Sequence, residues 1–305
     1  MGSVDRGDRK LPALAFNRVG PKATPWAFLA IPLIFYVVFF IVPFVQSLMI
    51  SFTDWDGVRQ VRNFVGLDNY ARMLADPLVH VALKHNFVWI IVGTAAPILI
   101  SLFLSMLLWP STRGSNLFQA AYFMPQILST VVVAAIWSKV YHPLIGLLNQ
   151  GLAMVGLGHL AIGWLGSMQW ALPAVLVSAV WAYFGFTLVV ILAGLQTVDV
   201  DLLDAASIDG ANGLQRFWNI ILPQLAPVLT MITAYTLIGG FNVFDIVWVM
   251  TAGGPANATD VLSTVLYKRA FMEDKVAYGT SLALTLTALS LIASGLFIYF
   301  REKEN

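Results

Sequence analysis

The sequence predicts an all-α integral membrane protein with six transmembrane helices. Of its 305 residues 59% are hydrophobic and only 11% charged, and the mean hydropathy is +0.79. Those values lie far outside the usage of soluble domains. Six apolar runs each meet the length needed to cross the hydrocarbon core, about 20 residues at roughly 1.5 Å rise. Between the fourth and fifth runs lies a polar stretch, Asp199 to Pro227, patterned more closely than a plain connection requires.

The elements follow in chain order. Residues 1–25 carry Arg6, Arg9, Lys10, Arg18 and Lys22 with little periodicity, which reads as a soluble, mobile tail. The run from Trp26 to about Phe52 is too long for a cleaved leader and is taken as the first span, bent by Pro32 and Pro43. Residues 54–76 place Asp54, Asp56, Arg59, Arg62, Asp68, Arg72 and Asp76 on a mixed-charge loop of the kind that orients a docking partner. The next spans are expected near Val81–Trp109, Leu117–Tyr141 and Leu172–Leu195. Between the last two, residues 142–170 hold six glycines and no acidic, Lys or Arg residue, which suggests a re-entrant or membrane-hugging segment.

The polar stretch reads as two short helices and a corner. Leu202, Leu203, Ala205, Ala206 and Ile208 begin the first, with Asp199 and Asp201 where carboxylates favour a helix N-terminus. Gly210 and Gly213 break the pattern. Leu214, Phe217, Trp218, Ile221 and Leu225 then recur as one face of a second helix, limited by Pro223 and Pro227. The fifth span is expected at Val228–Met250 and the sixth at Val276–Phe300, giving a six-helix membrane domain over residues 26–300 and a short tail at 301–305.

An even number of spans puts both termini on one side. The basic tail, with Arg113, Arg216, Arg301 and Lys303, assigns that side to the cytoplasm. Arg59, Arg62, Arg72, Lys268, Arg269 and Lys275 fall on the opposite side and blur the bias. The net charge of +1, with no dense basic block, gives no reason to expect nucleic acid. Cysteine is absent, which removes thiolate catalysis and disulfides. His80, His85, His142 and His159 have no ligand spacing and read as loop and interface residues, so no metal site is expected.

Function is narrowed by energetics. Moving a polar solute against its gradient needs a nucleotide or a coupling ion. No Gly-x-x-x-x-Gly-Lys-Ser/Thr phosphate loop occurs, so the chain is not itself an ATP motor. Ion-coupled carriers keep acids inside their spans at about 2.5 kcal/mol or more each. Asp245 is the one acid expected within a span here. With Asn242 it sits toward the outer half of the fifth helix, where the pair either faces a hydrophilic solute or ties neighbouring helices together. Gly239-Gly240, just before, permits close approach or local unwinding. An ion-coupled carrier or channel remains the alternative, and a membrane-embedded enzyme a weaker one, since no polar catalytic set converges at one depth.

The stretch Asp204-Ala205-Ala206-Ser207-Ile208-Asp209-Gly210-Ala211, continuing to Phe217, Ile220, Leu222 and Pro223, resembles the "EAA" loop of permease subunits in binding-protein-dependent ABC importers. The family's leading Glu is Asp204 here, one methylene shorter. Ser51-Phe52-Thr53-Asp54-Trp55, Phe64 to Tyr70, Thr251-Ala252-Gly253-Gly254-Pro255 and Tyr267 to Phe271 resemble the sugar-importing branch, maltose and glycerol-phosphate type, and the first of its two unlike permeases. The large outer insertion of the enterobacterial maltose subunit is missing.

The resemblance implies the type I importer (MetI-like) permease fold in a bacterial cytoplasmic membrane, with both termini cytoplasmic. It implies that this subunit forms half of a pathway for a sugar or related polar solute and is not an enzyme. The loop at 199–227 becomes a coupling helix that docks on an ATPase, through Asp204, Ala205, Ala206, Asp209, Gly210, Ala211, Phe217 and Pro223. The chain holds no cofactor of its own, ATP and Mg being bound by the partner ATPase. The implied partners are a second homologous permease, two ATPase subunits, an extracytoplasmic solute-binding protein and the lipid bilayer. The family's solute pocket lies on the helices equivalent to the fourth and fifth, which brings in Trp181, Tyr183, Phe186 and Thr187 beside Asn242 and Asp245. Saccharides, polyols and glycerol phosphates all fit the family.

Overall fold

The computed structural model describes residues 24–109 and 114–303, so the basic tail and Arg113 lie outside the described residues. The chain divides into two units, Met1–Ile50 and Ser51–Asn305.

In the first unit, α1 (Thr24–Tyr36) runs through a π turn (Val37–Ile41) into α2 (Val42–Ser51). The turn falls just ahead of Pro43, whose ring and missing N–H do not fit a regular i to i−4 ladder. Phe28–Ser51 forms one apolar stretch of 24 residues, long enough to span. Phe35 stacks on Phe39 and Tyr36 on Phe40, i, i+4 pairs one turn apart.

In the second unit, α3 (Asp68–Ala75) turns sharply into α4 (Pro77–Leu108). Asp76 makes the corner: its carboxylate accepts from the Leu78 N–H at 2.9 Å, and Pro77 takes the first position, where no N–H is needed. α5 (Ser115–Ile127) and α6 (Thr130–Val140) follow. The single helix expected at Leu117–Tyr141 is two helices that meet at 99°, a broken span or a re-entrant loop. Pro125 weakens the last turn of α5 and Ser129 caps α6, so the local chemistry favours a stop and a restart.

The glycine-rich segment at 142–170 folds around one side chain. It holds α7 (Leu147–Met154) and two 3₁₀ turns. Asn149 donates to the carbonyls of Pro143 and Ile162 at 3.0 and 2.9 Å and accepts from the Trp164 indole at 2.8 Å.

α8 (Ala171–Leu195) is the central helix and packs on α4, α5, α6, α12 and α13. It is apolar on all sides, with 44% of its spanning window buried against neighbours. Gly185 lets α5 come close, since a Cβ there would strike the backbone of Tyr122. The polar stretch gives α9 (Val200–Ile208), α10 (Gly213–Arg216), a π turn (Phe217–Ile221) and α11 (Leu222–Gln224). α12 (Ala226–Phe241) leaves it at 66°, with Pro227 in its first turn. The span expected at Val228–Met250 is also corrected: α12 ends at Phe241, and a separate helix, α13 (Asp245–Thr251), follows. α14 (Leu262–Tyr267), a π turn (Lys268–Met272) and α15 (Val276–Lys303) complete the chain. Residues 301–303, expected in a tail, continue the last helix.

Three buried clusters hold the second unit. One gathers Val133, Tyr141, Val175 and Val247 at the N-terminal end of α8, and one gathers Leu188, Ile191, Leu195, Leu225 and Ile232 toward its C-terminal end. The third joins α3 and α4 to α14 and α15 through Met73, Val79, Leu262 and Leu282. In a bilayer such clusters are held by close packing and hydrogen bonds, because lipid tails are as apolar as leucine.

The charged loop at 54–76 is largely occupied with itself. Asp56 pairs with Arg59 at 2.8 Å, Asp68 with Arg72, and Arg62 lies over the Trp55 ring. Asp76 is bound by Arg269 at 2.9 Å and by the Tyr278 hydroxyl at 3.1 Å, which ties the start of α4 to the start of α15. Hydrogen bonds from Lys275 and Arg269 hold the Glu273 carboxyl below the usual range, and the Asn63 side chain and backbone do the same for Asp54.

A pH dependence follows. For groups whose folded pKa is depressed, the stabilisation is complete above the ordinary carboxylate value, about 4, and is lost as pH falls through the lower folded value. Hydrogen-exchange protection factors at residues 54–63 and 268–276 are therefore expected to be unchanged down to about pH 4 and to fall selectively below it. Equal protection of these segments above and below that window would contradict the pairing described.

Candidate functional site

Two of the polar constellations lie at opposite ends of α12. The first is the hairpin of α9 to α11. Asp199 caps α9, its Oδ1 accepting from the Asp201 N–H at 3.0 Å, while its own N–H donates to Gln224 Oε1. Gly210 ends α9 with a φ of +80°. Its N–H reaches the Ser207 carbonyl and the Ala211 N–H reaches that of Ala206, at 3.2 and 2.9 Å. That pair of bonds is a Schellman cap, which requires a left-handed residue at the position Gly210 fills. Asn212 then opens α10 with a capping box, exchanging bonds of 2.8 and 2.9 Å with Gln215. Arg216 fastens the two arms through Ser207 Oγ at 2.8 Å.

The apolar face expected along the second arm divides in two. Phe217, Ile221 and Leu225, spaced i, i+4, i+8, turn inward, with Ile221 and Leu225 buried. Leu214 and Trp218, on the neighbouring row, are 68% and 58% exposed, and Ile208 on the first arm is 87% exposed. Asp204, Ala205, Asp209, Gly210 and Pro223 are exposed, and Ala206, Ala211 and Phe217 half-buried.

The second constellation is a cavity of about 360 Å³ where α5 gives way to α6 and α12 to α13. Gln126, Thr130, Tyr183, Thr236, Asn242 and Asp245 supply its polar groups, and Trp89 and Phe244 its aromatic ones. Among the described residues no Lys or Arg lines it. Of the pathway residues expected from sequence, Tyr183, Asn242 and Asp245 are thus brought together. Asn242 and Asp245 do not lie inside a continuous helix as expected: Asn242 follows the last turn of α12 and Asp245 opens α13, both exposed to the cavity. Phe186 and Thr187 do not line the cavity. Phe186 packs against Tyr235 with ring centroids 5.6 Å apart and the rings tilted by 45°, and Thr187 is fully buried. Trp181 packs edge-on against Trp137.

The break between α12 and α13 is settled by side chains. Asn242 Nδ2 donates to the Ile238 carbonyl at 3.0 Å, and Ser263 Oγ donates to that of Val243. Asn86, buried on α4, donates to the carbonyls of Gly240 and Phe241 at 3.2 and 3.4 Å and accepts from the Leu262 N–H at 2.8 Å. Gly240 lies against Ile90 of α4 with little room for a Cβ.

Sequence reasoning missed the acid that is truly buried. Asp260, between α13 and α14, has no exposed surface, and Lys268 Nζ binds both its oxygens at 2.8 Å. Thr264 donates to it at 2.8 Å, and His85, on α4 and not in a loop, meets its carbonyl at 2.7 Å. The Thr-x-Gly-Gly-Pro segment wraps this pair. Thr251 and Thr259 hydroxyls meet at 2.7 Å, and Gly253, at φ +87°, passes so close that a Cβ would strike the Asp260 carboxylate. The eight-residue gap between Asp260 and Lys268, spanning about two helical turns, was the available signal.

Residues 97–302 match the family model described as "Binding-protein-dependent transport system inner membrane component". The chain belongs to this family. It is a multi-pass inner-membrane permease subunit that forms part of a translocation pathway and is not itself catalytic. The permease is 31% identical over 290 residues to the multiple sugar-binding transport system permease protein MsmF of Streptococcus mutans, covering 95% of this chain and 99% of that one. It is 32% identical over 284 residues to the diacetylchitobiose uptake system permease protein NgcF of Streptomyces coelicolor, covering 88% and 80%. Its fold matches a chain of a bacterial ABC transporter that imports the acidic polysaccharide alginate, with a TM-score of 0.79, 21% identity and coverage of 92% and 95%.

Removing one partner of the buried pair should be costly. Asp260→Asn leaves Lys268 without its counter-charge and should lower stability by about 3–5 kcal/mol, whereas Asp260→Asn with Lys268→Met should recover much of the loss. Thermal unfolding of the detergent-solubilised permease checks both. A single variant as stable as the parent would show that the pair carries no such load.

Proposed function

We propose that this permease forms half of the pathway for an uncharged sugar or related polar solute and is driven by a separate ATPase docked on the hairpin. The observation that carries this reading is one helix. α12 starts at the hairpin and ends at the cavity, and its 16 residues make a rod of about 24 Å. A push on the hairpin is delivered along it to the break that holds Asn242 and Asp245.

The docking surface in this reading is the exposed apolar group Ile208, Leu214 and Trp218, set among Asp204, Asp209 and Gln215. Apolar anchors within a polar rim suit a protein groove better than lipid. ATP and Mg belong to the ATPase pair, and this chain binds no cofactor. Closure of that pair turns the cavity outward and hydrolysis resets it, with the hairpin and both termini in the cytoplasm. A second, homologous permease supplies the other half of the cavity, and an extracytoplasmic binding protein delivers the solute. A periplasmic protein bound to alginate pentasaccharide accompanies one structural relative. The names of MsmF and NgcF support a saccharide. So does the lining, whose aromatic faces and neutral hydrogen-bonding groups suit a sugar, while a lone carboxylate without a cation disfavours an anion.

Two variants test the two ends. Gly210→Val forces a β-branched residue into the left-handed region at about 1–2 kcal/mol and should cost both ATPase co-purification and uptake, whereas Gly210→Asn should keep them. If the valine variant retained both, the corner would not be the coupling element. Asp245→Ala should weaken apparent affinity in proteoliposome uptake roughly 10- to 100-fold, the worth of one hydrogen bond to a charged group. Undiminished affinity would remove Asp245 from the pathway.

A further inference from the structure

We propose that Asn86 is a positioning residue for the cavity, replacing the helical donors that the break after Phe241 removes. In an unbroken helix the carbonyls of Gly240 and Phe241 would accept from the N–H groups of residues 244 and 245. Here the chain has left the helix by Asn242, and the Asn86 amide meets both carbonyls. Its own oxygen is filled by the Leu262 N–H, so both ends of the amide are used and its orientation is fixed. Asn86 is 1% exposed, so water does not compete for these bonds.

The consequence reaches the cavity through the chain. With the carbonyls of 240 and 241 engaged by α4, residues 242 to 245 are free to turn, and Asn242 and Asp245 enter the lining. Without the amide, one buried and one part-buried carbonyl lose this donor, and the shortest remedy is to continue the helix through Asp245. Helix continuation rotates each residue by about 100° per step and withdraws the carboxylate from the cavity. Asn86 does not line the cavity, so its effect is indirect.

The chain has no cysteine, which makes accessibility the direct test. Asp245→Cys is labelled with a membrane-impermeant maleimide in the assembled transporter, and Leu144→Cys, 83% exposed and outside the cavity, is the control. Adding Asn86→Leu should slow labelling at 245 about tenfold and leave that at 144 unchanged, and Asn86→Gln, which keeps the amide, should restore most of the rate. If the leucine variant is not recovered in membranes, Asn86→Ser, too short to reach both carbonyls, is used with the same expectation. Equal labelling at 245 with and without the amide overturns the proposal, and so does a parallel change at 144. The readout is independent of which solute is carried and does not require transport.

Discussion

A carbonyl or N–H group in hydrocarbon has no water to turn to, and the structure of this permease is governed by how it meets that constraint wherever a helix stops. At the hairpin Gly210 closes α9 on its own backbone and Asn212 starts α10 with its side chain. At the break after Phe241 the donors come from Asn86, Asn242 and Ser263, borrowed from three different segments. The glycine-rich segment does the same with Asn149. Local caps suffice where solvent is near, and donors from distant elements appear where it is not. A break that depends on donors from α4 and α14 holds those elements in fixed register with α12.

The Asp260–Lys268 pair extends this logic to charge. Desolvating both ions costs several kcal/mol each, so the pair is a poor source of net stability. Its value lies in the many geometric conditions it imposes. Thr264, His85, Thr251, Thr259 and the left-handed Gly253 all have to be in place around it. A segment held this way has one arrangement, and it adjoins Leu262, which Asn86 also holds. Asp245 shows the opposite choice. It is exposed and lies in a cavity that no described Lys or Arg lines.

What the sequence made legible divides along similar lines. Length and hydropathy placed the apolar runs, because crossing a bilayer demands many consecutive apolar residues. The hairpin corner was readable because Asp-Gly and Asn-x-x-Gln act locally, within a few residues of the groups they cap. The breaks in the third and fifth runs were not. Hydropathy is blind to a 99° turn at Leu128-Ser129, since the residues on both sides are equally apolar. Asn86 could not be found by pattern, because its partners lie 154 or more residues away, and Asp260 left only its eight-residue spacing to Lys268 as a trace. Phe186 and Thr187 were drawn in by the resemblance and share a helix face with Tyr183, but they lie a turn further along α8, past the last residue of that helix that lines the cavity.

Exposed apolar area has several meanings in this chain, and the neighbours distinguish them. Phe103, Leu107 and Leu291 are exposed within long apolar helices and match lipid tails. Ile208, Leu214 and Trp218 are as exposed, yet stand beside Asp204, Asp209, Asn212 and Gln215, a setting lipid tails would not accept. Trp89 and Phe244 meet Asn242, Asp245 and Thr130 around a void. One composition of side chains therefore occurs in three different settings, and it is the polar residues at each place that tell them apart. In a chain where 11% of residues are charged, those few polar positions carry most of the functional information.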